Sequence, residues 1–348
     1  MAFAHFTVRP ATFAGTEFMK ILIIQTAFIG DVVLATALIE SLHRSYPKAN
    51  IDFLVRKGNE SLLKDHPKLR KVLVRDKKDK YVGLAKLLLE IRKEKYNLVV
   101  NCHRFASSGL LTAFSGADKK LGFSKNPFSV FFSKRFPHQI SNGFHETQRN
   151  HVLIEALAGP NAAKPRLYPT TSDYDKVATI IGKRPYVCMA PTSVWFTKQW
   201  PADKWVALIK RMPSNVDIFL LGGKGDVSIC SQIAEESGNS QVINLAGKCS
   251  LLESAALMKG ASMNYVLDSG PLHLASAMNA PVTAIFCSTV PDFGFGPLSD
   301  VQFVVQTTKA LTCRPCGLHG KRSCPLQHFD CAASIDPGTL RLPETVGI

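Results

Sequence analysis

Three short stretches in the second half of the chain carry residues suited to holding phosphate. "DSGPLHLASA" (268–277) sets Asp268, Ser269 and Gly270 between an apolar run and a helical one, with His273 one turn further on. The start of a helix exposes unpaired N–H groups at its positive end, which favours an anion such as a diphosphate. Gly270 lets the backbone approach closely, and Pro271 suits a first helical position. "APTSVWFTKQWP" (190–201) offers the hydroxyls of Thr192 and Ser193, then the mobile cation of Lys198. A departing diphosphate needs such a cation as its bond breaks. "LLGGKGD" (220–226) is a glycine-rich turn containing Gly223, with Asp226 able to accept from ribose hydroxyls. Each stretch also has a plainer reading: a helix capped by Asp268 or Ser269 with His273 packed, a surface lysine, and Asp226 as a helix cap. In the first half, "KILIIQTAFIGD" ends on Asp31 at a strand-to-helix turn, either as a cap or as a carboxylate presented above the strand end.

Strands must end beside these residues to position them. "KILIIQT" (20–26) is a continuous apolar run, as strands buried on both faces are. From Asp31 to about Tyr46, Leu34, Leu38 and Leu42 share a helical face that stops before Pro47. "IDFLVR" (51–56), "KVLVR" (71–75) and "NLVVNC" (97–102) predict further strands, and "VGLAKLLLEIRKEK" (82–95) an amphipathic helix. "HETQRNHVLIEALAG" predicts one helix ending at Gly159, and the polar, proline-rich residues 161–175 a linker. The pattern then restarts with "PYVCMAP", "ADKWVALIKRM", "VDIFLLGG", "DVSICSQIAEES", "QVINLAG", "SLLESAALMKGA", "MNYVLDSG", "PLHLASAMNA" and "PVTAIF". Alternation of this kind implies doubly wound α/β sheets. Two in series predict two Rossmann-like domains, 19–160 and 176–348, presenting their strand ends to a cleft. Residues 1–18 read as an upstream or disordered extension.

Composition narrows the partners. Of 348 residues 46% are hydrophobic, enough for two cores, and no apolar run approaches the roughly 18 residues of a membrane span. Lys and Arg total 42 against 27 Asp and Glu, a net +15. Residues 1–160 hold 25 basic and 13 acidic residues, so +12 of that charge lies in the first half. The imbalance suggests nucleic acid, an acidic or phosphorylated sugar, or an anionic membrane surface, unless runs such as "RDKKDK" (75–80) are simply solvated. Nucleic acid is disfavoured because no motif interleaves aromatics with the basic residues. A nicotinamide-dependent oxidoreductase is disfavoured because the first strand lacks G-x-G-x-x-G after it. With no secretory signal in the first 18 residues, a cytoplasmic protein with reduced thiols is expected.

"MKILIIQTAFIGDVVLATALIESL", "APTSVWFTKQWP", "NLAGKCSLLESAALMKGA" and "DSGPLHLASAMNAPVTAIF" resemble the bacterial ADP-heptose:lipopolysaccharide heptosyltransferases, glycosyltransferase family 9. The resemblance runs from Met19 to about Cys331 and is closer to type II than type I. It implies an inverting, metal-independent GT-B enzyme, with an N-terminal acceptor domain and a C-terminal domain for the ADP-sugar. It implies Asp31 as the general base that takes the acceptor hydroxyl's proton. It implies Lys198 on the donor diphosphate and Thr192, Ser193, Asp268, Ser269, Gly270 and His273 around the nucleotide. Asp226, standing where a longer Glu is often found, would face the ribose and Lys248 the adenine side. The stretch "SVWFTK" sets Lys198 about one residue further from Thr192 and Ser193 than in some members. The implied acceptor is lipid A carrying anionic inner-core sugars, met at the inner leaflet of the cytoplasmic membrane. Arg56, Lys57, Arg104, Lys120 and Arg149 are candidates to clamp its carboxylates or phosphates. The alternatives are a GT-B transferase for another nucleotide-sugar and a non-catalytic nucleotide-binding protein of lipopolysaccharide assembly. A silent protein has no need of both Asp31 and Lys198.

Four of the nine cysteines, Cys313, Cys316, Cys324 and Cys331, cluster near the end of the chain with His319 and His328 among them. This is a candidate zinc cage, although the spacing matches no common finger or ribbon. Reduced thiols in a packing segment are the plainer reading, and no cofactor is otherwise required.

Overall fold

The computed structural model describes residues 19–343 apart from Lys80 and Ser141, so the expected extension over 1–18 lies outside the described residues. The chain divides into two units. One runs through Gln139 and adds Glu146–Pro165; the other holds Ile140–His145 and the chain from Arg166 onward.

The first unit is built on six parallel strands: β1 (Lys20–Ile24), β2 (Asn50–Arg56), β3 (Lys71–Arg75), β4 (Leu98–Asn101), β5 (Lys119–Phe123) and β6 (Lys134–Phe136), in the order β3-β2-β1-β4-β5-β6. β1 lies at the centre and is apolar on both faces because helices cover both. Leu22, Ile24, Leu54, Leu73 and Val99 pack with Leu87, Ile91 and Tyr96 into one core. The helix Ile29–Ser45 follows β1 and buries ten of its residues.

The second unit repeats the plan with β7 (Tyr186–Ala190), β8 (Asp217–Leu220), β9 (Val242–Asn244), β10 (Met263–Leu267), β11 (Val282–Phe286) and β12 (Gln302–Gln306). Their order is β12-β11-β10-β7-β8-β9, again all parallel. Trp205, Met189, Ile218, Tyr265 and Ile285 anchor its core, with Trp200 edge-on to Trp205 at 5.3 Å. In each sheet the strand order reverses beside the first strand of the unit, between β1 and β4 and between β7 and β10. Connections leave to opposite faces at that point, which opens a crevice above the carboxyl ends.

Two sequence expectations change. The single helix ending at Gly159 is broken into Glu146–His151 and Glu155–Ala158. Between them, Leu153 and Ile154 bond three residues back, to Asn150 and His151, which tightens the turn and buries both side chains. The expected linker contains a helix start: Thr170 accepts from the Asp173 N–H and Asp173 bonds back to Thr170, a capping box opening the helix Thr171–Ile180. No helix among the described residues is long and apolar enough to cross a membrane.

Candidate active site

The switch point of the second sheet gathers most of the expected donor residues. The chain leaves β7 past Thr192 and Ser193 and tightens into a 3-10 turn at Phe196–Lys198. It leaves β10 through Asp268 and Ser269 into the helix Gly270–Ala277, with Pro271 in its first turn. The two loops meet where Lys198 Nζ stands 2.6 Å from Asp268 Oδ2. Thr289 Oγ1, just beyond β11, donates to that same oxygen at 2.6 Å. The lysine side chain is only 13% exposed and the aspartate 9%, so the pair is largely withdrawn from water. Charges held in this way are strongly coupled, because removing one leaves the other uncompensated. An ammonium has three donors, so pairing with Asp268 still leaves Lys198 able to engage an anionic ligand.

Beneath Lys198, the neighbouring Thr197 fixes the turn. Its N–H donates to the Lys321 carbonyl at 3.1 Å, and its Oγ1 accepts from the Lys321 N–H at 2.7 Å and from Ser288 at 3.1 Å. Gly320 has φ +76°, and a Cβ there would fall 3.0 Å from Thr197 Oγ1, so the segment around 320 is moulded onto the lysine turn. Gln199 donates to the Ser193 carbonyl at 2.7 Å and braces the other side.

The capped-helix alternative for "DSGPLH" is not what the structure shows. Ser269 is the N-cap residue but makes no side-chain cap bond, and its hydroxyl donates to the Leu267 carbonyl at 3.4 Å. Asp268 is engaged with Lys198 and Thr289 instead. The first turn of this helix therefore keeps its anion-binding character. His273 is buried in that turn, edge-on to Phe295.

Asp226 makes no side-chain cap bond to the helix Val227–Ser237 that follows it. Its Oδ2 accepts from the Gly223 N–H at 2.7 Å and closes the turn Lys224–Asp226. A Cβ at Gly222 would lie 2.7 Å from the Asp226 Cβ, which is why glycine stands there. Lys248 folds back after β9, its Nζ donating to the Asn244 carbonyl at 2.8 Å.

In the first unit Asp31 stands at the third position of the helix Ile29–Ser45, at the carboxyl end of β1. Its Oδ2 accepts from the Phe28 N–H at 3.2 Å, so the carboxylate also steadies the turn that presents it. That turn is pinned from both neighbouring strands. Asn59 donates to the Ala27 carbonyl at 3.1 Å, and Thr26 Oγ1 bonds His103 Nδ1 at 3.0 Å. Burial, and then the charges of Lys77, Arg104 and Arg75, push the His103 imidazole down to about 4.

The basic candidates separate. Arg56 ends β2 and stacks over Phe28 at 4.8 Å, and Arg104 follows β4 over Phe105 at 5.5 Å. Lys57 is paired with Asp76 at 2.7 Å. Lys120 lies toward the amino end of β5, and its Nζ donates to the Ala113 carbonyl at 3.3 Å. Arg149 is buried and donates through Nε to Glu146 at 2.8 Å. Lys120 and Arg149 are thus engaged in hydrogen bonds within the unit, Arg56 and Arg104 in ring contacts.

Sequence reading missed Thr197, Ser288, Thr289 and Lys321. None carries a local signal; each matters through a partner more than 20 residues away. It also missed Arg75 and Lys77, read only as part of a solvated run.

All nine cysteines are free. Cys313, Cys316, Cys324 and Cys331 line one cavity of about 310 Å³ together with Arg314 and His328. Yet among the described residues no three Cys, His, Asp or Glu side chains are placed to hold a metal ion. Burial, followed by the neighbouring thiols, raises Cys331 to about 11, which favours the protonated thiol. The candidate zinc cage does not fit these side chains as they stand.

The model of glycosyltransferase family 9 (heptosyltransferase) matches residues 84–326, well over half of the chain. The chain belongs to this family. Among sequence relatives, lipopolysaccharide heptosyltransferase 3 of Escherichia coli is 28% identical over 280 residues, covering 75% of this chain and 82% of the relative. The structure of E. coli ADP-heptose lps heptosyltransferase II is similar with a TM-score of 0.75 at 21% identity, over 92% of this chain and 96% of that one. E. coli heptosyltransferase WaaC with ADP is similar with a TM-score of 0.67 at 21% identity, over 82% and 92%. This family 9 glycosyltransferase accordingly has the GT-B type of α/β fold, two parallel six-stranded sheets with helices.

Proposed function

We propose that this glycosyltransferase moves heptose from ADP-heptose to the inner core of a lipid A-linked saccharide, with inversion at the anomeric carbon. The observation that carries the reading is the buried Lys198–Asp268 pair beside the uncapped start of the helix Gly270–Ala277, in a chain of the heptosyltransferase family. The sequence and structural relatives supply the donor and acceptor, since their names include ADP-heptose and lipopolysaccharide.

In this reading the diphosphate lies across the helix start, and Lys198 bridges it to Asp268. Thr192, Ser193, Ser269, Gly270 and His273 shape the rest of the donor pocket. The acceptor oxygen attacks the anomeric carbon as the bond to the diphosphate breaks. Asp31 takes the hydroxyl proton, and ADP leaves with its charge met by Lys198 and the helix N–H groups. Because the protein supplies that positive charge, the mechanism needs no metal ion. Arg56 and Arg104 face the anionic acceptor, and the enzyme works at the cytoplasmic side of the inner membrane.

The test is ADP release from ADP-heptose, with and without a Kdo- or heptose-bearing lipid A acceptor, in wild type and Asp31→Asn. Acceptor-dependent release that collapses in the variant, with ADP binding kept and chelators without effect, supports the reading. Wild-type protein that binds ADP but turns over no such acceptor overturns it.

A further inference from the structure

Arg75 is the last residue of β3 and stands in register with Arg56 at the end of β2. It shares a face of its strand with Leu73, which belongs to the apolar core, so Arg75 is the step at which that core gives way to the carboxyl end of the sheet. Its side chain is inside the protein, at 8% exposure, yet Nε and Nη1 have no hydrogen-bond partner among the described residues. Nearly all buried polar groups are satisfied, and a guanidinium is among the most expensive to leave otherwise. Lys77 follows two residues later, and the positive charges of Arg56 and Arg75 both act on it. The charges of Arg75, Lys77 and Arg104 converge on His103, which holds the turn leading to Asp31. Among the described residues none of Arg56, Arg75, Lys77 or Arg104 has a carboxylate within ion-pair distance; the nearby Asp76 is taken by Lys57. Four cations and a neutral imidazole collected at one sheet end make a cradle for negative charge.

We propose that Arg75, with Lys77 and Arg56, forms an oxyanion subsite that selects acceptors bearing a phosphate or carboxylate beside the reacting hydroxyl. This rests on the acceptor role proposed for the first unit. The guanidinium fork suits either group, since both present paired oxygens. Arg75 is thereby a specificity-determining residue rather than part of the bond-making chemistry.

The experiment uses full-length wild type, Arg75→Met and Lys77→Ala, the last at an exposed position that keeps the test available if the buried variant does not fold. With ADP saturating the donor site, inorganic phosphate should raise the melting temperature of the wild type and have little effect on either variant. In turnover, KM for the acceptor should rise about tenfold in the variants while KM for ADP-heptose is unchanged, the loss of one charge-assisted contact. Acceptor treated with phosphatase and acceptor with its carboxylates esterified then tell the two sources apart: the modification that raises wild-type KM to the variants' value marks the group bound. Equal phosphate stabilisation in all three proteins, or unchanged acceptor KM in both variants, overturns the subsite. If the wild type turns over no lipopolysaccharide acceptor but phosphate still stabilises it through Arg75, the subsite stands and the proposed function fails.

Discussion

Two arginines bracket the same strand and are treated in opposite ways. Arg70, just before β3, forks onto the fully buried Asp52 through Nε at 2.9 Å and through Nη2, and also reaches Glu94 at 2.7 Å. Tyr96 adds a hydroxyl to Asp52, and Lys71–Glu90, Lys20–Glu94 and Lys68–Glu40 complete a matched set of charges. Arg75, at the other end of the strand, is buried with two guanidinium nitrogens unpartnered among the described residues. A fold under pressure for stability alone would not bury a charge this way. The contrast separates an end of the sheet that holds the unit together from an end kept ready for a ligand.

The sharpest way to break that contrast is at Asp31, which also makes a structural bond. If it is the base, Asp31→Asn should lower kcat by about 10²–10⁴ while shifting the melting temperature by only a few degrees, because the amide oxygen can still accept from Phe28. Equal losses of stability and turnover would make it a cap. This ambiguity is instructive about what the sequence could show. Apolar runs and helix starts are local, so the central strands, the alternation and the two units were legible. Strands at the sheet edges were not: Lys134–Phe136 has three residues, and Gln302–Gln306 is polar at both ends with mixed exposure. At the switch point of the second sheet Lys198 and Asp268 were legible singly, but their pairing joins residues 70 apart, and Thr289 gave no sign of its part. Asp226 looked like a cap for the helix after it, but its carboxylate turns back to the Gly223 N–H instead. Composition cannot tell Lys57, paired with Asp76, from Arg75, which has no ion pair among the described residues.

At the matched end, Arg70→Met should cost stability rather than catalysis. It strands the Asp52 carboxylate inside the sheet with Tyr96 as its remaining side-chain partner. Breaking a buried pair from one side costs about 3–5 kcal/mol. Urea denaturation should show that loss, while the folded fraction keeps its kcat and both KM values. A large rise in acceptor KM here would mean that the two ends of β3 are not functionally distinct.

His103 reports on the basic end through pH. Its imidazole titrates near 6.5 when unfolded and at about 4 when folded, lowered by burial first and by Lys77, Arg104 and Arg75 next. Above pH 6.5 neither state is protonated and stability is fully present. As pH falls toward 4 only the unfolded chain gains the proton, so stability declines, by about 3.5 kcal/mol in all at about 1.4 kcal/mol per unit. His66, buried and also lowered to about 4, adds a similar slope. His103→Gln should therefore remove roughly half of the histidine-linked loss between pH 6.5 and 4.5, measured as the difference between the two denaturation series. Saturating phosphate should shrink the wild-type slope further, since an anion among the cations makes protonation of His103 easier. An unchanged slope in the variant would place the acid sensitivity elsewhere.

The smallest effect is the most discriminating because its sign is unusual. Truncating a buried side chain normally destabilises, yet Arg75→Met should stabilise the ligand-free protein by about 1–2 kcal/mol. Methionine keeps most of the aliphatic stem beside Leu73 and removes a guanidinium whose desolvation is not offset by hydrogen bonds. It also lightens the repulsion on Lys77 and lets His103 protonate more readily. Phosphate should reverse the ranking, stabilising wild type past the variant once the oxyanion supplies the missing partner. A variant less stable than wild type in both conditions would show that Arg75 is a structural residue with an unseen role in packing. A crossing of the two stability curves as phosphate is added is the behaviour of a charge held for a ligand, since only then does the worth of the arginine depend on the anion.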